Sequence, residues 1–221
     1  MKTIELVIWG LNFVELLACV TGFIYWKKIK DTYWKWFPVY LVVVIMVEMT
    51  GRILTSVFHN QPLNIAVYRY FGIPMQFLFF FWLFYCYFSN LNKKDRRWPP
   101  IGAAIYIAAW FIEWLFLEDV KTWFMSFSYT IGNIMLLVLV ILFFIRFINS
   151  EAILKYRQSM MFWVCLGLLV FYLGAFPYYA LRNTLLHNYR PIFNIYSYVS
   201  LGLDYLMYIF FTIAFICGRP K

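Results

Sequence analysis

The sequence predicts an all-α polytopic membrane protein, with seven transmembrane helices forming a single domain over residues 1–221, the N-terminus outside and the C-terminus in the cytoplasm. Three observations predict it. Hydrophobic residues make up 64% of the chain and charged residues only 13%, against about 25% charge in a soluble domain, so the apolar excess is too large for one water-soluble core. Seven apolar runs each reach the roughly 20 residues that cross about 30 Å of hydrocarbon. The basic residues of the connections are strongly one-sided.

The runs cover residues 4–26, 36–58, 63–88, 98–117, 122–148, 158–181 and 191–217. Short polar links with turn chemistry separate them, among them Asn60-Gln61-Pro62, Ser89-Asn90 and Pro99-Pro100. Met1-Lys2 ahead of the first run imitates a secretory signal. Glu5, Asn12 and Glu15 interrupt that run, no small-residue cleavage site follows, and Lys27-Lys28 close it, so it reads as a retained first helix.

The net charge of +9 is a topology signal before it is anything else. Lys27, Lys28, Lys30 and Lys35 fall in the first link, Lys93, Lys94, Arg96 and Arg97 in the third, Arg146, Lys155 and Arg157 around the fifth, and Arg219 and Lys221 in the tail. Only Lys2, Lys121, Arg182 and Arg190 fall on the other side, and Arg52 and Arg69 lie inside runs. Basic residues are retained on the cytoplasmic side, which places the first, third and fifth links and the tail there. Contact with anionic lipid headgroups is a secondary effect of the same charge, and no nucleic-acid partner is implied. Trp26, Trp34, Trp36, Trp98 and Trp123 sit at run ends, where amphipathic rings prefer the membrane interface.

Ionisable groups inside a bilayer are costly and mark a pathway, a binding site or an internal pairing. Glu15, Glu48, Gln76, Asn133 and Asp204 come from five different runs, yet at 1.5 Å per residue each lies roughly 16–20 Å from the start of its run, near the midplane. Helical spacing extends each into a stripe. Asn12, Glu15, Cys19 and Gly22 share one face; Glu48, Arg52 and Thr55 share another, with Glu48 and Arg52 at the i,i+4 spacing of an ion pair. Arg69, Gly72 and Gln76 line the third run, which Pro74 can kink. Ser126, Thr130 and Asn133 line the fifth, and Asn194, Ser197, Ser200 and Asp204 the seventh. The other halves, residues 77–84, 135–145 and 208–216, are nearly pure hydrocarbon.

Three functions fit this pattern. The polar groups can clamp helices to one another. They can form an outward-open, inward-sealed pocket in which Glu15, Glu48, Arg52, Arg69, Gln76, Asn133 and Asp204 bind a small-molecule ligand. Or Glu15, Glu48 and Asp204, three carboxyls facing only two cations, can relay protons.

The two histidines both stand in outer links and both precede asparagine, as His59-Asn60 and His187-Asn188. At the same offset Tyr68 aligns with Tyr196, Tyr70 with Tyr198, Gln76 with Asp204 and Leu78 with Leu206. This is the pattern of a 3+1+3 parallel repeat.

Several classes are excluded or unsupported. The seventh run has no lysine for a retinal Schiff base, and the inner-end signatures of G-protein-coupled receptors are missing. Two loop histidines cannot build a zinc site, and there is no HExxH, GxSxG or phosphate-binding glycine loop. Cys19, Cys86, Cys165 and Cys217 lie within apolar runs and read as small hydrophobes. The chain therefore reads as a non-enzyme without a metal or other cofactor, with carboxylate-pair chemistry on a glycerolipid or peptide as the enzymatic alternative.

The segments 162–179, FWVCLGLLVFYLGAFPYY, and 203–217 resemble those of short, uncharacterised seven-helix membrane proteins of Bacteroidota. That resemblance implies the inner membrane of a bacterium and assigns no site residues. The 3+1+3 plan is similar to that of SWEET and PQ-loop sugar transporters, although their paired prolines are missing and only Pro177 lies deep in a corresponding run. The expectation is a receptor-like sensor embedded in the lipid bilayer and signalling through a cytoplasmic or membrane partner, with a SWEET-like or proton-coupled small-solute transporter as the alternative.

Overall fold

The computed structural model of the chain describes residues 2–91, 94–116 and 124–219, with side chains from Gly10 onward. Lys93, Lys121, Trp123, Lys221 and the run ends at Leu117 and Thr122 lie outside these residues. The described chain is all-helical, and five of its helices are long and apolar enough to cross a membrane. The main helices are α1 (Lys2–Ile24), α2 (Tyr33–Ser56), α3 (Gln61–Ser89), α4 (Asp95–Phe116), α5 (Ser126–Ile148), α6 (Met160–Gly174) and α7 (Arg190–Cys217). The five of membrane-crossing length are α2, α3, α4, α5 and α7, while α1 contributes a shorter apolar stretch, Gly10–Ile24.

Local chemistry sets the helix starts. The Asn60 side chain accepts the Leu63 N–H at 3.1 Å and caps α3, with Pro62 in the first turn, where its missing N–H costs nothing. His59, just before this cap, takes φ +49°, which reverses the chain between α2 and α3. His187 instead lies within a short helix, Arg182–Asn188, so the two His-Asn pairs serve different local structures. Ser159 caps α6 by accepting the Phe162 N–H at 3.3 Å.

The structure differs from the sequence pattern most at the sixth run. Residues 158–181 do not form one helix: α6 stops at Gly174, a bend follows at Ala175, and Phe176–Ala180 makes a separate turn. Pro177 is the cause, since it has no N–H for the Leu173 carbonyl and its ring crowds that carbonyl. A milder interruption lies in α3, where Tyr68–Gly72 is π-helical immediately before Pro74.

The described helices carry their apolar residues outward. On α5, Ile134, Val138, Ile141 and Ile145 form an exposed stripe at helical spacing, while Ser128, Asn133, Leu136, Val140 and Phe143 are buried. Such an arrangement suits a hydrocarbon solvent and is that of a membrane protein.

By its contacts the chain forms two compact units. The first comprises Met1–Ile45, Val140–Ala175 and Ile195–Lys221. Its packing rests on close approaches at small residues: a Cβ on Gly22 would meet Pro38 at 2.7 Å, and one on Gly174 would meet Leu203 at 2.6 Å. Phe37 packs edge-on to Phe211 with centroids 5.1 Å apart, and Trp34 is buried beside it in the first turn of α2. Lys28 donates to the carbonyls of Phe215 and Ile216, capping the C-terminal end of α7.

The second unit comprises Met46–Leu139 and Phe176–Asn194. Phe77 lies tilted against Tyr106 and edge-on to Tyr129, with centroids 4.9 and 5.2 Å apart, and Gly132 lies close enough that a Cβ would meet Tyr106 at 2.8 Å. Tyr129 stacks on Tyr179 at 4.4 Å.

Candidate functional site

The second unit gathers most of the polar groups within the helices. Gly51 on α2 lies against Asn64 and Tyr68 of α3, where a Cβ would come within 2.7 Å of Asn64 Oδ1 and 2.8 Å of the Tyr68 ring. This close crossing lets the Tyr68 hydroxyl hydrogen-bond the Glu48 carboxyl, with the Arg52 guanidinium as the carboxyl's electrostatic neighbour one turn along α2. Glu48 and Arg52 are half-buried. Thr55 and Ser56 return their hydroxyls to carbonyls of their own helix, to Gly51 and Arg52 at 2.7 Å each, so those groups need no outside partner.

Arg69 lies in the π-helical turn of α3 and is 3% exposed. Its backbone carbonyl accepts the Trp110 indole N–H of α4 at 3.3 Å, and its guanidinium stands 5.7 Å from the Tyr70 ring centre. Its Nε and Nη2 have no hydrogen-bond partner. Gln76, two turns further along, is half-buried.

One turn beyond Trp110 on α4, Glu113 is 1% exposed. Its two carboxyl oxygens accept the backbone N–H groups of Phe127 and Ser128 at 3.0 and 2.7 Å. These are donors of the first turn of α5, which no helix can satisfy internally. Glu113 thus caps α5 from a neighbouring helix. Around it the hydroxyls of Tyr106, Ser126 and Ser128 are buried without a partner, whereas the Thr130 hydroxyl bonds the Ser126 carbonyl at 2.6 Å. Asn133, one turn deeper on α5, is 1% exposed.

Arg182 is held by aromatic faces. Its guanidinium lies 4.5 Å from Phe124 and 5.4 and 5.9 Å from Tyr178 and Tyr179, while the Asn183 amide donates to the Phe124 carbonyl at 2.9 Å.

Of the seven ligand-binding candidates, Glu48, Arg52, Arg69, Gln76 and Asn133 belong to this unit, and Glu48 and Arg52 are brought together as their spacing predicts. Glu15 and Asp204 belong to the first unit, where Glu15 is 3% exposed and lies within electrostatic reach of Tyr40, and Asp204 is half-buried on α7. Glu113 adds a fourth carboxyl to the three read from the sequence. It lies inside the fourth apolar run, and only the fold reveals it as a buried cap. Asp95, 7% exposed at the start of α4, is likewise more buried than a loop charge suggests.

Among the described residues no group of three or more His, Cys, Asp or Glu side chains stands together as a metal site. The chain matches no family model, no curated protein and no solved structure.

Proposed function

We propose that this chain is a receptor-like membrane protein of seven spans, with its N-terminus outside and its C-terminus in the cytoplasm of a bacterial inner membrane. In this reading the polar region of the second unit binds a small solute from outside, and the occupied state is passed to a cytoplasmic or membrane partner. One observation carries the reading. In the second unit Arg52, Asn64, Arg69, Glu113, Ser126 and Ser128 all lie in the helix halves next to the 57–60 and 117–125 connections, whereas residues 77–84 and 134–139 are apolar. A region polar at one end and sealed by aromatic and aliphatic packing at the other suits recognition from one side. Glu15 and Asp204 are candidate ligand groups of the first unit in the same reading.

Solute transport is the second reading, favoured by the interrupted helices. Transporters build midplane sites from discontinuous helices, and the bend at Ala175 is a break of that kind, with the π-helical turn Tyr68–Gly72 a local irregularity within a continuous helix.

Purified protein, screened against amino acids, sugars and organic acids, distinguishes the two. A receptor gives thermal stabilisation by a solute, through binding to the folded state alone, with no counterflow of that solute in liposomes. Counterflow that is lost in Arg52→Ala establishes transport and overturns the receptor reading.

A further inference from the structure

We propose that Arg69 is the anchor of an oxyanion-binding site, taking the carboxylate or phosphate group of a solute or of a lipid headgroup; the inference rests on the binding role given to this region above. Arg69 is 3% exposed within a membrane-crossing helix, and among the described residues no carboxylate pairs with it. An arginine cannot escape this situation as a lysine can, because its guanidinium stays protonated at any accessible pH. A buried charge without a counter-charge is strongly unfavourable, so the site calls for an anion that the described residues do not supply.

The unsatisfied atoms say which kind. Nε and Nη2, both fully buried and without partners, lie on one edge of the guanidinium. Their two N–H groups point in parallel and match the two oxygens of a carboxylate or phosphate as a bidentate fork, a geometry that a halide or a neutral sugar hydroxyl does not complete. The Arg69 backbone is held by Trp110 through its carbonyl, and the Tyr70 ring lies 5.7 Å from the guanidinium. Asn64, five residues earlier on α3, also has a buried Oδ1 without a partner, facing Gly51 of α2.

The fork is closed to solvent in this structure, so an oxyanion enters by displacing neighbouring side chains. The π-helical turn Tyr68–Gly72 is the element able to give, because its surplus residue leaves the hydrogen-bond ladder adjustable and such turns concentrate at functional sites. Tyr70 and Phe71 in that turn are exposed and can swing aside.

The test uses the full chain in neutral detergent, unfolded thermally with inorganic phosphate or succinate against chloride at equal ionic strength. A second arm uses phosphatidylglycerol against phosphatidylcholine. The expected result is a rise in Tm of about 5 °C or more at a hundredfold excess over Kd. Arg69→Gln abolishes it, and Arg69→Lys, which keeps the charge but not the fork, weakens it. A rise with phosphate or succinate identifies a solute, and a rise with phosphatidylglycerol alone identifies a lipid headgroup. Wild-type protein that responds to neither arm overturns the proposal even if the variants fail to fold, and so does an Arg69→Gln protein that responds equally. Stabilisation by a neutral sugar without any oxyanion effect removes this inference while leaving the receptor reading standing. An oxyanion that binds at Arg69 and is also carried in counterflow does the reverse.

Discussion

The Glu113 carboxyl accepts the Ser128 backbone N–H at 2.7 Å, and through its other oxygen the Phe127 N–H at 3.0 Å. An acidic side chain near the C-terminal end of α4 thereby completes the hydrogen bonding at the N-terminal end of α5. In water, solvent can satisfy such end groups; in hydrocarbon a side chain must. The favourable interaction of an acidic group with the positive end of a helix dipole acts in the same sense.

Glu113→Ala leaves two buried amide donors without an acceptor, a loss of about 2–4 kcal/mol. The expected outcome is a fall in Tm of about 5–10 °C in detergent, with Glu113→Gln intermediate because one amide oxygen still accepts. A Glu113→Ala protein that melts with the wild type shows that the cap contributes nothing.

Gly51 and Gly202 form a matched pair of helical glycines with opposite expectations. A Cβ at Gly51 collides with Asn64 and with the Tyr68 ring that carries the hydroxyl bound to Glu48, whereas a Cβ at Gly202 meets nothing within 4 Å. Gly202→Ala therefore gains helix propensity, up to about 1 kcal/mol. Gly51→Ala forces Tyr68 away from Glu48 and loses about 1–3 kcal/mol by overpacking. Thermal unfolding of the two variants side by side reads the difference directly; equal shifts contradict the close α2–α3 crossing.

Much of this architecture is legible in the sequence because a bilayer reduces the problem to length, apolarity and charge placement. The helices α2, α3, α4, α5 and α7 follow from apolar runs, and Glu48 lies within electrostatic reach of Arg52, one turn along α2. What stayed hidden depends on partners distant in sequence or on hydrogen-bond register. Glu113 is a single acidic residue in the fourth apolar run, and its role as a cap depends on α5 being placed against it. Trp34 reads only as a run-end aromatic, and its burial against Phe37 depends on the fold. The bend at Ala175 has a visible agent in Pro177, but an apolar run shows no sign of whether neighbouring side chains support a kinked helix or a broken one. The π-helical turn at Arg69 leaves no trace in hydrophobic periodicity at all, and with it the orphaned edge of the guanidinium was unreadable.

The number of crossings turns on the segment between α5 and α7, where α6 has only 15 residues before the bend. Alkaline phosphatase fused after Ser150 and, separately, after Asn188 brackets that segment in a cell. The seven-span account predicts an inactive fusion at Ser150 and an active one at Asn188, because only a complete crossing between them carries the second enzyme out of the cytoplasm. Equal activity at the two positions contradicts it.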